Sequence, residues 1–127
     1  MEFHPYWHED ELHDFCQKHN ITFNSYSPIG CPDRAATLGT SWNPIPGAIH
    51  HPNVITIAQK HKKTPAQVIL RWHWQQGVVM NPRTCDPIQM KENMSIFDFE
   101  LDEQDMMWLS SINHPMSKVC PDPRLIP

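Results

Sequence analysis

The sequence predicts an α/β fold in which parallel strands are joined by crossover helices. Short β-branched or aromatic runs, at 1–4, 21–26 and 78–80, alternate with segments that carry helix-start and helix-stop residues. The stretches between successive runs are too long for hairpins and suit the crossovers that parallel neighbours need. At 127 residues the chain is long enough for one modest domain with a real core. A closed eight-stranded α/β barrel, at about 250 residues, is beyond its reach.

Residues 1–4 read as the end of a first strand. The helix expected over 9–19 has Glu9, Asp10 and Glu11 in its first turn and Lys18 and His19 in its last, charges that complement the helix dipole. Asn20 supplies the stop, since asparagine tolerates the left-handed conformation that ends helices. The run Ile21-Thr22-Phe23-Asn24-Ser25-Tyr26 then suits a buried strand. A long connection from about 27 to 50 holds three of the four glycines and Pro28, Pro32, Pro44 and Pro46. Connections of that length are usually functional or disordered.

Pro52 opens a helix through Ile55, Ile57, Ala58 and His61. Thr64-Pro65-Ala66-Gln67 opens the next, with an N-cap, a proline at the first helical position and a glutamine three residues after the cap. Val68, Ile69 and Leu70, with Trp72 and Trp74, give that helix a broad face expected to pack on the sheet, until Gly77 stops it. Val78-Val79-Met80 reads as a strand. Asp86-Pro87 caps a short helix through Asn93, and Asp102 begins another carrying Met106, Leu109 and Ile112. The tail from 113 to 127 holds four of the thirteen prolines and reads as an irregular arm.

Composition excludes several classes. Hydrophobic content of 39% with 19% charged residues is that of an ordinary globular domain. No apolar run approaches the roughly 18 residues of a membrane helix, and the first residues lack the basic region and apolar core of a secretory signal. A formal charge of -4 gives no electrostatic reason to expect nucleic acid. Cys16, Cys31, Cys85 and Cys120 form no Cys-x-x-Cys pair, which suits free thiols in a reducing, cytoplasmic setting. Among nine histidines, His8 and His13 are five apart and miss the helical chelation spacing, so solvated surface histidines are the expectation and no metal ligand is assigned. Gly39-Thr40-Ser41-Trp42-Asn43 begins like a nucleophile elbow but lacks its final glycine. The four glycines at 30, 39, 47 and 77 cannot form a P-loop or a Gly-rich dinucleotide turn.

Taken alone, Arg83-Thr84-Cys85-Asp86-Pro87 is either a capped helix with an exposed arginine or an anion site. A helix start offers unpaired N–H donors and a positive dipole end, and Arg83 can add a charge-assisted contact. Tyr26, at a strand end, is either a core-edge tyrosine or a flat platform for a planar ring.

Order and spacing across the chain resemble a known family. Glu2-Phe3-His4-Pro5-Tyr6, Tyr26-Ser27-Pro28-Ile29-Gly30, Thr64-Pro65-Ala66-Gln67, Leu70-Arg71-Trp72, Gly77-Val78-Val79, Asn93, Phe97-Asp98-Phe99 and Leu101 look like the second half of the aldo-keto reductases, NADPH-dependent carbonyl reductases built on a (β/α)8 barrel. The resemblance implies a half barrel over 1–112 with the tail at 113–127. It also implies a site for NADP, weak or vestigial: Tyr26 under the nicotinamide ring, Ser27, Ile29 and Cys31 around the pyrophosphate, Arg83 and Thr84 on the 2′-phosphate, and Glu92 and Asn93 at the adenine. Gln89 departs from the family's usual arginine, and Pro82 from a less constrained residue. The family's catalytic Asp, Tyr, Lys and His map to earlier segments, so no catalytic residue is assigned and the chain alone is expected to be inactive. Open strand edges must be covered, which implies self-association or another protein chain. A non-catalytic structural subunit is the alternative, and a metal-binding module the weakest reading.

Overall fold

Five helices and two short strands make up the residues described by the computed structural model, 1–31, 47–114 and 117–118. The helices are α1 (Asp10–Lys18), α2 (Pro52–His61), α3 (Pro65–Gln75), α4 (Pro87–Met94) and α5 (Glu103–Ser111), and a 3-10 turn at Ala48–His50 precedes α2. The rejected elbow-like segment 39–43, Cys120, the middle of the long connection and most of the tail lie outside the described residues.

Strands β1 (Asn24–Tyr26) and β2 (Val79–Asn81) pair in parallel, with Asn24 opposite Val79, Ser25 opposite Met80 and Tyr26 opposite Asn81. Before β1 in sequence, Glu2 forms a parallel bridge to Tyr26, whose N–H donates to the Met1 carbonyl at 2.9 Å. The α/β order is as expected, and each of the three expected strand segments is shorter than or shifted from its bounds. Helix closure explains two of these differences. Ile21 N–H turns back to the Cys16 carbonyl (2.8 Å), with Asn20 at φ +54, so the chain becomes a strand only at Asn24. Val78 N–H likewise returns to the His73 carbonyl (3.1 Å), with Gly77 at φ +71, and β2 starts one residue late. At the amino end, His4 and Trp7 exchange two N–H···O bonds of 2.8 Å, a tight turn that leaves only isolated bridges at 1–4.

Helix α3 is central, packing against α2, α4, α5 and β2. Its start is fixed by the capping box read from the sequence. Gln67 N–H donates to Thr64 Oγ1 (3.3 Å), and Thr64 N–H donates to Gln67 Oε1 (3.0 Å), with Pro65 in the first helical position. Val68, Ile69, Leu70 and Trp72 are fully buried. Trp72 lies nearly parallel to Phe3 (5.3 Å between ring centres), and Phe23 meets Phe3 edge-on at 5.3 Å. Trp74 does not join them: it is 51% exposed and rests edge-on to Phe97. Two residues along a helix is a rotation of about 200°, so Trp72 and Trp74 cannot both face the sheet.

Asp102 caps α5 with a second capping box. Its partner Asp105, buried, accepts from Lys60 Nζ at 2.9 Å and pairs with His61 Nε2 at 2.7 Å, which ties α5 to the last turn of α2. His4, read as a hydrogen-bonded interior residue, is buried, whereas the expectation of surface histidines fails for His13 and His73, which are buried too. Each has a partner inside: Glu2 for His4, the Gln76 carbonyl for His13, and the Ile69 and Phe3 carbonyls for His73. Two of these partners, the Gln76 and Phe3 carbonyls, come from segments more than sixty residues away, which nothing in sequence spacing announces.

His73 carries a pH consequence. Its ring nitrogens lie 2.8 Å from two carbonyl oxygens, yet burial dominates and lowers its pKa from 6.5 to about 4. The unfolded chain therefore takes up the proton first, and stability is expected to fall as pH drops from about 6.5 to about 4, by about 3 kcal/mol from this residue. Urea unfolding across that range should show a shallower decline for His73→Gln, which keeps a polar side chain and does not titrate. Parallel pH profiles for the two proteins would refute the assignment.

Candidate functional site

Because β1 and β2 run parallel with Tyr26 opposite Asn81, the segments that follow them, 27–31 and 82–86, leave the sheet at the same end. Carboxyl ends of parallel strands are where ligands collect in such sheets. Alternation sends Ser25 toward the core, where its hydroxyl donates to the Phe3 carbonyl at 2.8 Å. Asn24, Tyr26, Val79 and Asn81 form an exposed face on the other side, and Asn81 Nδ2 donates across the strands to Asn24 Oδ1 at 2.8 Å. Tyr26 is 42% exposed.

After Tyr26 the chain makes a turn closed by Gly30 N–H on the Ser27 carbonyl (2.8 Å). Ser27 takes φ +51 and Gly30 φ +70. A serine in this region is uncommon and costs on the order of 1 kcal/mol, so the turn is held by its surroundings: Pro28 is buried and Ile29 packs on the core. Of the residues expected around a pyrophosphate, Ile29 thus has its side chain turned inward, Ser27 is half-buried, and Cys31 presents an exposed free thiol.

The start of α4 differs from the sequence expectation of unpaired donors. Pro87 has no N–H, and Ile88 N–H donates to Asp86 Oδ1 at 2.9 Å. Asp86 N–H donates to Thr84 Oγ1 (3.1 Å), and that hydroxyl donates to Gln89 Oε1 (2.8 Å). The helix is capped by its own carboxylate, a negative group where an incoming phosphate would sit. Arg83 is exposed beside it. Two site features escape sequence reasoning: Asp86 as a competing charge, and Gln89 as the acceptor for Thr84. The Asp-Pro N-cap signal is legible in the sequence, and its charge is the part that could have found the first of them.

No residue of α4 is fully buried. Gln89 and Asn93 are four apart and share a face, so the Thr84–Gln89 bond directs the face bearing half-buried Asn93 toward 83–84. Glu92 is half-buried too, and its carbonyl accepts from Gln67 Nε2 at 3.2 Å, which fastens the end of α4 to the capping box of α3. The helix runs one residue past its expected end, to Met94. Among the described residues, no group of three His, Cys, Asp or Glu side chains could hold a metal ion, and no helix is long and apolar enough to cross a membrane.

Comparison with known proteins identifies the family of this fold. The profile of the aldo/keto reductase family matches residues 1–114. Aldo-keto reductase family 1 member A1-A of Danio rerio is 42% identical over 114 residues, covering 89% of this chain and 34% of that protein. Aldo-keto reductase family 1 member A1 of Gallus gallus is 36% identical over 123 residues, covering 95% of this chain and 36% of that protein. Among solved structures, a Gox0644 mutant in complex with NADPH superposes with a TM-score of 0.80 at 29% identity, over 100% of this chain and 42% of that one. An aldo/keto reductase from Brucella melitensis gives 0.73 at 34% identity, over 88% of this chain and 37% of that one. The chain spans about a third of the length of the curated relatives it matches. With nearly its whole length matched to one family, the chain belongs to the aldo/keto reductases.

Proposed function

We propose that this chain supplies the cofactor-holding side of an NADPH-dependent reductase of aldehydes or ketones. The observation that carries the reading is the parallel register of Tyr26 with Asn81, which brings the 27–31 turn and the 82–86 segment to one end of the sheet. A similar structure solved with NADPH supports it.

In this reading the Tyr26 ring gives a flat surface for the nicotinamide, and the 27–31 turn, with Ser27 and Cys31, borders the pyrophosphate. Arg83 pairs with the 2′-phosphate, Thr84 adds its hydroxyl once freed from Gln89, and Glu92 and Asn93 meet the adenine. The bound cofactor supplies the hydride. A proton must also reach the developing alkoxide from a positioned donor, and the family's Asp, Tyr, Lys and His correspond to segments outside these residues. The chain alone is therefore proposed to hold nucleotide weakly and to reduce nothing.

The half barrel itself, 1–112 with an irregular arm at 113–127, belongs to the same proposal. So do a cytoplasmic setting, consistent with free Cys16, Cys31 and Cys85, and a covering partner. The exposed face of Asn24, Tyr26, Val79 and Asn81 favours a second reading, a structural subunit that packs this face against its own copy or another protein chain.

Nucleotide binding and turnover test the proposal. Calorimetry should show NADP bound more tightly than NAD, with affinity falling as salt screens the phosphate contact. Arg83→Ala should cost about 1.5–3 kcal/mol in NADP binding, and equal affinity for the two nucleotides would reduce the segment to a capped helix. Asp86→Asn keeps a good N-cap while removing the competing charge, so NADP should bind a few-fold more tightly, about 0.3–1 kcal/mol, with NAD unchanged; weaker NADP binding would count against a phosphate at this helix end. Purified chain should give no NADPH oxidation with an aldehyde panel, and activity should appear on adding a separately expressed first half. Turnover by the chain alone that survives repurification would contradict this.

A further inference from the structure

Two buried polar atoms on the turn at His4–Trp7, His4 Nδ1 and Trp7 Nε1, have no hydrogen-bond partner among the described residues. The turn is closed by reciprocal N–H···O bonds of 2.8 Å, and the two residues are antiparallel bridge partners. Side chains of such a pair leave the same face, with β-carbons roughly 5 Å apart. The other ring nitrogen of His4, Nε2, lies 3.0 Å from Glu2 Oε1, and both side chains are at most 2% exposed. With Glu2 as the acceptor, the proton of a neutral His4 ring sits on Nε2 and leaves a lone pair at Nδ1. Trp7 Nε1 can only donate.

A donor and an acceptor on one face of a turn match a group that both accepts and donates. The geometry points to a binding site for a single hydroxylic ligand, one water molecule, that accepts from Trp7 Nε1–H and donates to His4 Nδ1. Burial favours water. Both atoms are closed off from solvent, and buried waters are held by two to four such contacts. The turn is also clamped from outside: the Tyr6 carbonyl accepts from His114 N–H (2.7 Å) and Ser117 Oγ (2.6 Å), and Lys118 Nζ stands 4.6 Å from the Trp7 ring centre.

The bound water has a role beyond filling space. By donating to Nδ1 it fixes the Nε2–H tautomer of His4, which keeps that proton directed at Glu2. Glu2 is the bridge partner of Tyr26, so the water would hold a side-chain pair one strand away from the proposed nicotinamide platform. This consequence rests on the proposed function, whereas the site itself does not, and the test needs no nucleotide.

Nitrogen-15 NMR of the intact chain decides it. The His4 ring is expected in the Nε2–H tautomer, with Nδ1 unprotonated but hydrogen-bonded, and the Trp7 indole proton should show a cross-peak at the water frequency with the sign of a long-lived bound molecule. Trp7→Phe should shift the His4 Nδ1 resonance while leaving the Nε2–H bond to Glu2 in place. If that variant does not fold, the wild-type spectra alone separate the outcomes. An Nδ1–H tautomer, an indole proton with no water contact, or cross-peaks from the indole to carbon-bound protons of a copurified molecule would each overturn the assignment.

Discussion

The stacking of Trp72 on Phe3 is the contact on which the described fold most depends. Phe3 lies between the amino-terminal segment and α3, and it also meets Phe23, His13, His8 and His73 within 6.0 Å between ring centres. Two strands of three residues cannot hold a sheet together by their own ladder; a two-stranded pair is marginal without a packed face. The aromatic cluster is that face. Removing a buried phenylalanine or tryptophan to alanine typically costs about 3–5 kcal/mol, a large part of the stability of a domain this size. Placement of Glu2 and Ser25, and through them Tyr26, follows from where Phe3 is seated.

Local signals are legible in the sequence wherever the chain satisfies itself locally. Thr64 with Gln67, Asp102 with Asp105, Pro87 after Asp86, and the stops at Asn20 and Gly77 each act within a few residues, and each element they bound lies at or within a residue or two of its expected place. Strand limits are less legible because they are set by competition: Ile21 and Val78 have strand-like side chains, but their N–H groups are drawn back into helix ends. The buried His13 and His73 are illegible for a related reason. His73 is joined to Phe3, seventy residues away in sequence, and no periodicity encodes a hydrogen bond of that kind. Trp74 is a different case, since helical rotation alone, readable from the sequence, separates it from Trp72.

The candidate site divides along the same line. That Tyr26 and the 82–86 segment share one end of the sheet follows from alternation and parallel topology, and the register of Tyr26 with Asn81 makes it specific. What the capped start of α4 does to an anion cannot be read so simply. An Asp-Pro pair marks a good helix start and a poor phosphate site at once, because the oxygen that satisfies Ile88 N–H carries the charge that opposes a phosphate.

These two properties bear on how the proposed anion site would coexist with a stable helix. A cap made by a neutral side chain would leave the dipole end free to attract a phosphate, whereas Asp86 already takes that interaction for itself. Arg83, exposed and outside the helix, is the compensating charge in the proposed site. Thr84 is bound up differently, as acceptor for Asp86 N–H and donor to Gln89, so it joins only if Gln89 rotates away. With an arginine in place of Gln89, a cation would face the same anion and the hydroxyl would be free to turn. The residues that make α4 self-sufficient are therefore the ones that would weaken it as the proposed phosphate clamp, and the balance between the two rests on the single carboxylate of Asp86.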